Sequence, residues 1–130
     1  MNTRLEHVGV WVASLDRVAS FYATYFGATV GELYRNERKG FASRFLAFGS
    51  GARLEVMTRD DVTRATVTEN LGLAHVALCV GNEATVDALA ARLRADGVAV
   101  DSGPRRTGDG YYECVVRDPE GNRVEVTAEK

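Results

Sequence analysis

Apolar and polar residues alternate through "LEHVGVWV" (5–12) and again through "LAHVALCV" (73–80), the period-two signal of a half-buried strand. The period then lengthens. After Ser14, "LDRVASFYATYF" sets Val18, Tyr22 and Tyr25 on one stripe and stops at Gly27, which predicts an amphipathic helix with a polar N-cap and a glycine exit. After Asn82, "EATVDALAARLRAD" repeats the design, with Val86, Leu89, Ala90 and Leu93 as the buried stripe and Gly97 as the exit. Strand-like pieces follow each helix: "TVGELYR", "FASRFLAF" and "RLEVMT", then "VAVDS", "YYECVVR" and "NRVEVTA". "GSGA" (49–52) and "DPEGN" (118–122) read as hairpin turns, with Pro119 preset for a turn and Gly121 free to take positive φ. "GSG" opens a hairpin and not a helix, so it fails the context required of a phosphate loop.

The order of signals is the same twice. Residues 5–12 match 73–80 at an offset of 68 (73 − 5), and "GARLEV" (51–56) matches "GNRVEV" (121–126) at 70 (121 − 51). Such self-similarity predicts two βαβββ modules, over 1–62 and 71–130, with the polar stretch 59–70 as linker. At 130 residues, neither module alone buries much surface, so one α+β domain over 1–130 is expected.

Strand alternation puts Leu5, His7, Gly9 and Trp11 on one face and Val8, Val10 and Val12 on the other. The same arithmetic groups His75, Ala77 and Cys79 against Val76, Leu78 and Val80. Glu55 lies between Leu54 and Val56, and Glu125 between Val124 and Val126. All four polar residues therefore point away from the helix-packed face. Taken singly, each is an ordinary solvated residue of a half-exposed sheet. Together they are the chain's two histidines, at matching positions, each followed by a glutamate at nearly equal distance (55 − 7 = 48; 125 − 75 = 50). Packed about a pseudo-twofold axis, His7, Glu55, His75 and Glu125 can converge, and two carboxylates in a partly buried cleft call for a cation. Two imidazoles and two carboxylates suit Ni²⁺, Zn²⁺, Fe²⁺, Mn²⁺ or Co²⁺ and leave octahedral positions open for substrate.

Composition narrows the partners. A net charge of −2, a pI near 5.7 and no basic cluster exclude the electrostatic footprint of a nucleic-acid or anionic-membrane binder. A small-molecule substrate is expected. With no apolar run near about 20 residues and no signal-like segment in "MNTRLEHVGV", the expected location is cytoplasmic. Cys79 and Cys114, inside apolar runs, are expected to be reduced and packed.

With "EHVGVWV", "FY" and "FG" at the front, "LEV" closing the first half, "GLAHVALCV" opening the second and "DPEGNRVEV" at the end, the chain resembles the vicinal oxygen chelate superfamily. That group includes glyoxalase I, bleomycin-resistance proteins, extradiol dioxygenases and methylmalonyl-CoA epimerase. The resemblance covers essentially the whole chain. It implies an open, mostly antiparallel barrel of paired βαβββ modules, a divalent metal chelated by two neighbouring substrate oxygens, and a homodimer whose site is completed by both chains. It carries the His, Glu, His, Glu ligand set onto His7, Glu55, His75 and Glu125. Glu125 becomes the general base and Glu55 the retained ligand, with the reverse assignment left open. The implied activity is that of a glyoxalase I-like lyase or isomerase acting on a small α-hydroxycarbonyl or hemithioacetal through a metal-stabilised enediolate.

The substrate positions depart from that pattern. Glutathione-dependent glyoxalases place an arginine four residues after the first ligand and an asparagine four after the first glutamate, whereas Trp11 and Arg59 stand here. Trp11 offers an apolar or stacking wall and Arg59 a partner for a carboxylate, so glutathione specificity is not expected. Tyr111, after the glycine-rich "RRTGDG", is a further substrate-binding candidate on a lip over the cleft. Arg53 and Arg123 share their glutamates' faces, either orienting those carboxylates or sitting in solvent. An extradiol-type dioxygenase uses two histidines and one glutamate, so a fourth ligand argues against it. A metal-free drug- or metabolite-binding resistance protein has no need of the quartet, and acyl-CoA epimerases carry glutamine where Glu55 stands.

Overall fold

Ser14 accepts a hydrogen bond from Arg17 N at 3.2 Å, and Gly27 turns left-handed at φ 66. These two signals bound helix α1, Leu15–Phe26, as expected. Asn82 does the same for α2, Glu83–Ala95, whose buried residues are Val86, Leu89, Ala90 and Leu93. The computed structural model describes residues 1–65 and 69–130 and falls into two compact units, Met1–Ala65 and Thr66–Lys130. Of the stretch expected to be a linker, residue 59 still belongs to a strand and 66–68 lie outside the described residues.

In the first unit β1 (His7–Trp11) is followed by α1, then β2 (Thr29–Val30), β3 (Tyr34–Asn36), β4 (Phe41–Ala47) and β5 (Arg53–Arg59). The sheet runs β1-β5-β4-β2, with β3 also on β4. β1 and β5 are parallel, and β4 pairs antiparallel with β5, β2 and β3. "TVGELYR" is not the single strand expected. Paired residue numbers sum to 76 for β2 with β4 (29 + 47) and to 77 for β3 with β4 (34 + 43), so one extra residue is accommodated between the two strands as in a bulge.

The second unit orders β6 (Val76–Cys79), β9 (Arg123–Thr127), β8 (Tyr112–Arg117) and β7 (Val100–Arg106), with β6 parallel to β9 and the others antiparallel. β6 is shorter than its alternating run: Leu71 and Leu73 are fully exposed, and His75 stands one residue before the strand. β7 is longer than "VAVDS". It takes in Arg105 and Arg106 after register shifts. At one of these Gly103 (φ 82) runs so close to β8 that a Cβ would meet Glu113 O at 2.6 Å, a place only glycine fills.

Each unit is therefore a mixed sheet with one helix, an α+β arrangement. One face carries the buried apolar set: Leu46, Leu54 and Val56 with Val18 and Tyr22 of α1, and Val116, Val124 and Val126 with α2. No helix among the described residues is long and apolar enough to cross a membrane.

The "DPEGN" turn is tied by Asp118, 5% exposed, whose carboxylate accepts from Glu120 N and Asn122 N at 2.9 Å and from Asn122 Nδ2 at 3.0 Å. Leaving those donors unmet costs about 1–3 kcal/mol, so Asp118→Ala is expected to lose that much in urea unfolding. One sequence expectation is corrected. Cys114 is buried, but Cys79 is exposed, because alternation puts it on the open face of β6 with Ala77. Thiol labelling of native protein is expected to modify Cys79 at once and Cys114 only on unfolding, the latter's thiol being also pushed up by burial.

Candidate functional site

Register brings the predicted donors together within each unit. β1 lies parallel to β5 with Gly9 opposite Glu55, and β6 lies parallel to β9 with Ala77 opposite Glu125. A histidine two residues before a small residue that lies opposite a glutamate is thus built twice. His7 Nε2 stands 3.7 Å from Glu55 Oε1 and His75 Nε2 stands 3.2 Å from Glu125 Oε2. The glutamate side chains are 18% and 22% exposed and the imidazoles 40% and 36%, accessible yet backed by the sheet.

Two donors each about 2.1 Å from a divalent ion stand about 3.0 Å apart at a right angle and about 3.4 Å apart at the tetrahedral angle, a range that holds the 3.2 Å pair and falls just short of the 3.7 Å one. His7 is further prepared, because its Nδ1 hydrogen-bonds the Glu6 carboxylate. With the proton on Nδ1, Nε2 keeps its lone pair for the side where Glu55 sits. Phe45 braces the ring edge-on at 5.2 Å. Among the described residues no group of three or more His, Cys, Asp or Glu side chains is placed to hold an ion. Each unit thus presents a half-site of two donors.

Around the second half-site lies a cleft of about 390 Å³ lined by His75, Ala77, Thr107, Asp109, Tyr111, Glu113, Glu125 and Thr127. Tyr111 lines this cleft, under the Lys130 ammonium at 4.7 Å. The loop before it is a closed turn, Gly110 N donating to Thr107 O at 3.0 Å and Thr107 N to Tyr111 O at 2.7 Å. Tyr112 faces the helix side and donates to Asp87 Oδ1 at 2.6 Å.

Of the two arginines on the glutamates' faces, Arg53 pairs with Glu6 and lies 4.1 Å over the Phe45 ring, while Arg123 pairs with Glu69. Glu6 and Glu69 are thus their ion-pair partners, while the Glu125 charge also acts on Arg123. Trp11 and Arg59 meet each other: the guanidinium sits 5.0 Å over the indole while its Nε donates to Asp61 Oδ1 at 2.5 Å. That bond holds the Asp61 carboxyl below its ordinary value.

Two site residues escaped the sequence reading. Glu6 precedes β1, so alternation did not place it on the His7 side, and its partner in the second half is Ala74. Glu113 is opposite Thr127, but its repeat counterpart is Ser43 (43 + 70 = 113), so matching the halves passed over it. The alternation of "YYECVVR" alone puts Glu113 opposite in face to Cys114 and Val116, and that was the available signal.

The family profile described as Glyoxalase/Bleomycin resistance protein/Dioxygenase superfamily matches residues 4–126. The chain belongs to this superfamily. Among solved structures, a trypanothione-dependent glyoxalase I of Leishmania major is similar, 26% identical at TM-score 0.80 over 98% of this chain and 88% of that one. A glyoxalase/bleomycin resistance protein/dioxygenase domain from Frankia sp. aligns over 100% of both chains at TM-score 0.84 with 17% identity. A lactoylglutathione lyase from Agrobacterium tumefaciens aligns at TM-score 0.69 and 22% identity over 98% and 94%. At those identities the last two establish the fold alone. A search of curated proteins gave no match.

The Glu113 carboxyl is raised above its ordinary value first by burial, then by the Glu125 charge and a hydrogen bond to it. A carboxyl whose folded pKa exceeds its unfolded one costs stability once pH rises past both. In chelator-treated protein, Glu113→Gln is therefore expected to melt higher than wild type at pH 7, with the gap closing as pH falls to the ordinary 4.5.

Proposed function

We propose that this superfamily member is a glyoxalase I-like, metal-dependent lyase or isomerase acting on a small α-hydroxycarbonyl or hemithioacetal, without specificity for glutathione. The observation that carries this reading is the doubled histidine–glutamate pair, at 3.7 Å in one unit and 3.2 Å in the other. His7, Glu55, His75 and Glu125 would hold the divalent ion, the set being completed in a homodimer. A bound ion of this class supplies Lewis acidity to the substrate oxygen beside the reacting carbon.

The chain's own residues do the rest. Glu125 takes the proton from the carbon and returns it to the neighbouring one, the work of a general base that then serves as acid. His75, 3.2 Å from it, fixes where that carboxylate stands. Glu6 holds the His7 tautomer, and Glu55 stays a ligand. Tyr111 and Thr107 wall the cleft on the Glu125 side, where the proton must be kept from bulk water. The likeness to the trypanothione-dependent enzyme supports the reaction class, while Trp11 and Arg59 in place of the glutamyl-binding pair support a different thiol arm.

Elemental analysis of protein purified without chelator is expected to find a divalent ion, lost on His7→Ala or His75→Ala. Hemithioacetal turnover with Ni²⁺, Zn²⁺ or Co²⁺ should fall about 10²–10⁴-fold in Glu125→Gln. Protein that takes up no divalent ion at micromolar concentration would instead be a sequestering binder.

A further inference from the structure

The open face of the first unit continues beyond the half-site. On β1, Trp11 shares the face of His7 four residues away, about 13 Å along an extended strand. Between them stands Gly9, and Met57 fills the place of its missing side chain: a Cβ there would lie 3.0 Å from Met57 Cε. An apolar floor therefore runs from the His7–Glu55 pair to Trp11. At its far end three rings are set edge to face. Trp11 and Phe41 are 6.2 Å apart and Phe41 and Tyr34 are 6.0 Å apart. Trp11 and Tyr34 remain 41% and 56% exposed.

Arg59 supplies the second observation. Its guanidinium lies over Trp11 at 5.0 Å and its charge is met by Asp61 at 2.5 Å. That cation is thus already neutralised by the chain, which weakens its pull on an anionic arm and leaves a flat, polarizable surface. Such a surface gains most from another aromatic ring.

We propose that Trp11, Phe41 and Tyr34 form a subsite for an aromatic tail on the substrate, so that this protein selects uncharged aryl-bearing hydroxycarbonyls or thiol adducts over those with a carboxylate arm. The inference deepens the function proposed above and rests on it for the placement of the reacting head.

The chain has one tryptophan, so emission reports this subsite alone. Purified protein, zinc-loaded and chelator-treated, is titrated with 6-phenylhexanohydroxamate and with hexanohydroxamate. The phenyl compound is expected to bind the zinc form about tenfold tighter than its ringless partner and to change Trp11 emission, an effect retained more weakly after chelation. Phe41→Leu, or Tyr34→Ala should the first variant misfold by circular dichroism, is expected to cut the advantage of the ring to about threefold or less with hexanohydroxamate affinity unchanged. Equal affinities in wild type, or an emission that no ring-bearing ligand moves in either form, overturns the proposal. A ring-dependent response that zinc does not strengthen keeps the subsite and removes the metal reading instead.

Discussion

Parallel pairing between the first and last strand of each unit decides where imidazole and carboxylate meet. With Gly9 opposite Glu55 and Ala77 opposite Glu125, each glutamate lies beside a residue too small to block it, and the histidine two positions earlier leans in on the same face. A slip of one residue would turn both glutamates onto the helix side. There they would displace neighbours of Val56 and Val126, both fully buried, and burying an unpaired carboxylate is far more costly than any ladder bond it keeps. The packed face thus holds the register, and the register aims the donors.

The two halves share this frame but load it differently. The first surrounds its histidine with Glu6, Phe45 and Arg53, so that the ring is held at Nδ1 and at its edge while Nε2 stays open. The second places a further carboxyl, Glu113, against Glu125 and raises it above its ordinary value. The second pair thus stands beside additional carboxyl groups, and the first carries a lone pair already turned to its glutamate. The two surroundings differ in kind: a hydrogen-bonded, ring-braced imidazole in the first unit, and in the second a glutamate beside a carboxyl that burial and its charge push upward.

Much of this was legible before any coordinates. Helix ends followed from Ser14, Gly27 and Asn82 because capping is local chemistry. The buried stripe of α2 and the outward turn of four polar residues followed from periodicity. What escaped depended on partners distant in sequence or on where a strand stops. Glu6 sits just outside β1, where alternation no longer applies. Glu113 becomes part of the cleft only through the β8–β9 register. Cys79 lay in an apolar run that suggested packing, yet the alternation that set it with His75 and Ala77 already placed it on the open face. Arg59 looked like a partner for a carboxylate, and Asp61, two residues on, supplies that carboxylate itself. The bulge between β2 and β3 has no signature stronger than one glycine, Gly31, whose N–H still reaches Phe45 O at 2.8 Å.

The division of labour between faces has a consequence for how chemistry and stability relate. None of His7, Glu55, His75 or Glu125 belongs to either apolar core, which is made of Val18, Leu46 and Val56 in one unit and Leu93, Val116 and Val124 in the other. Proteins that fold only around a metal lack such cores, and their ligands are their packing. Here the sheets and helices close without the donors, so these residues stay free to answer to chemistry. The same holds for Trp11 and Tyr34, which give apolar area to solvent while their unit folds without it. A surface kept apolar at positions the core does not need is the kind on which other molecules settle, and this one begins on the same strand as His7.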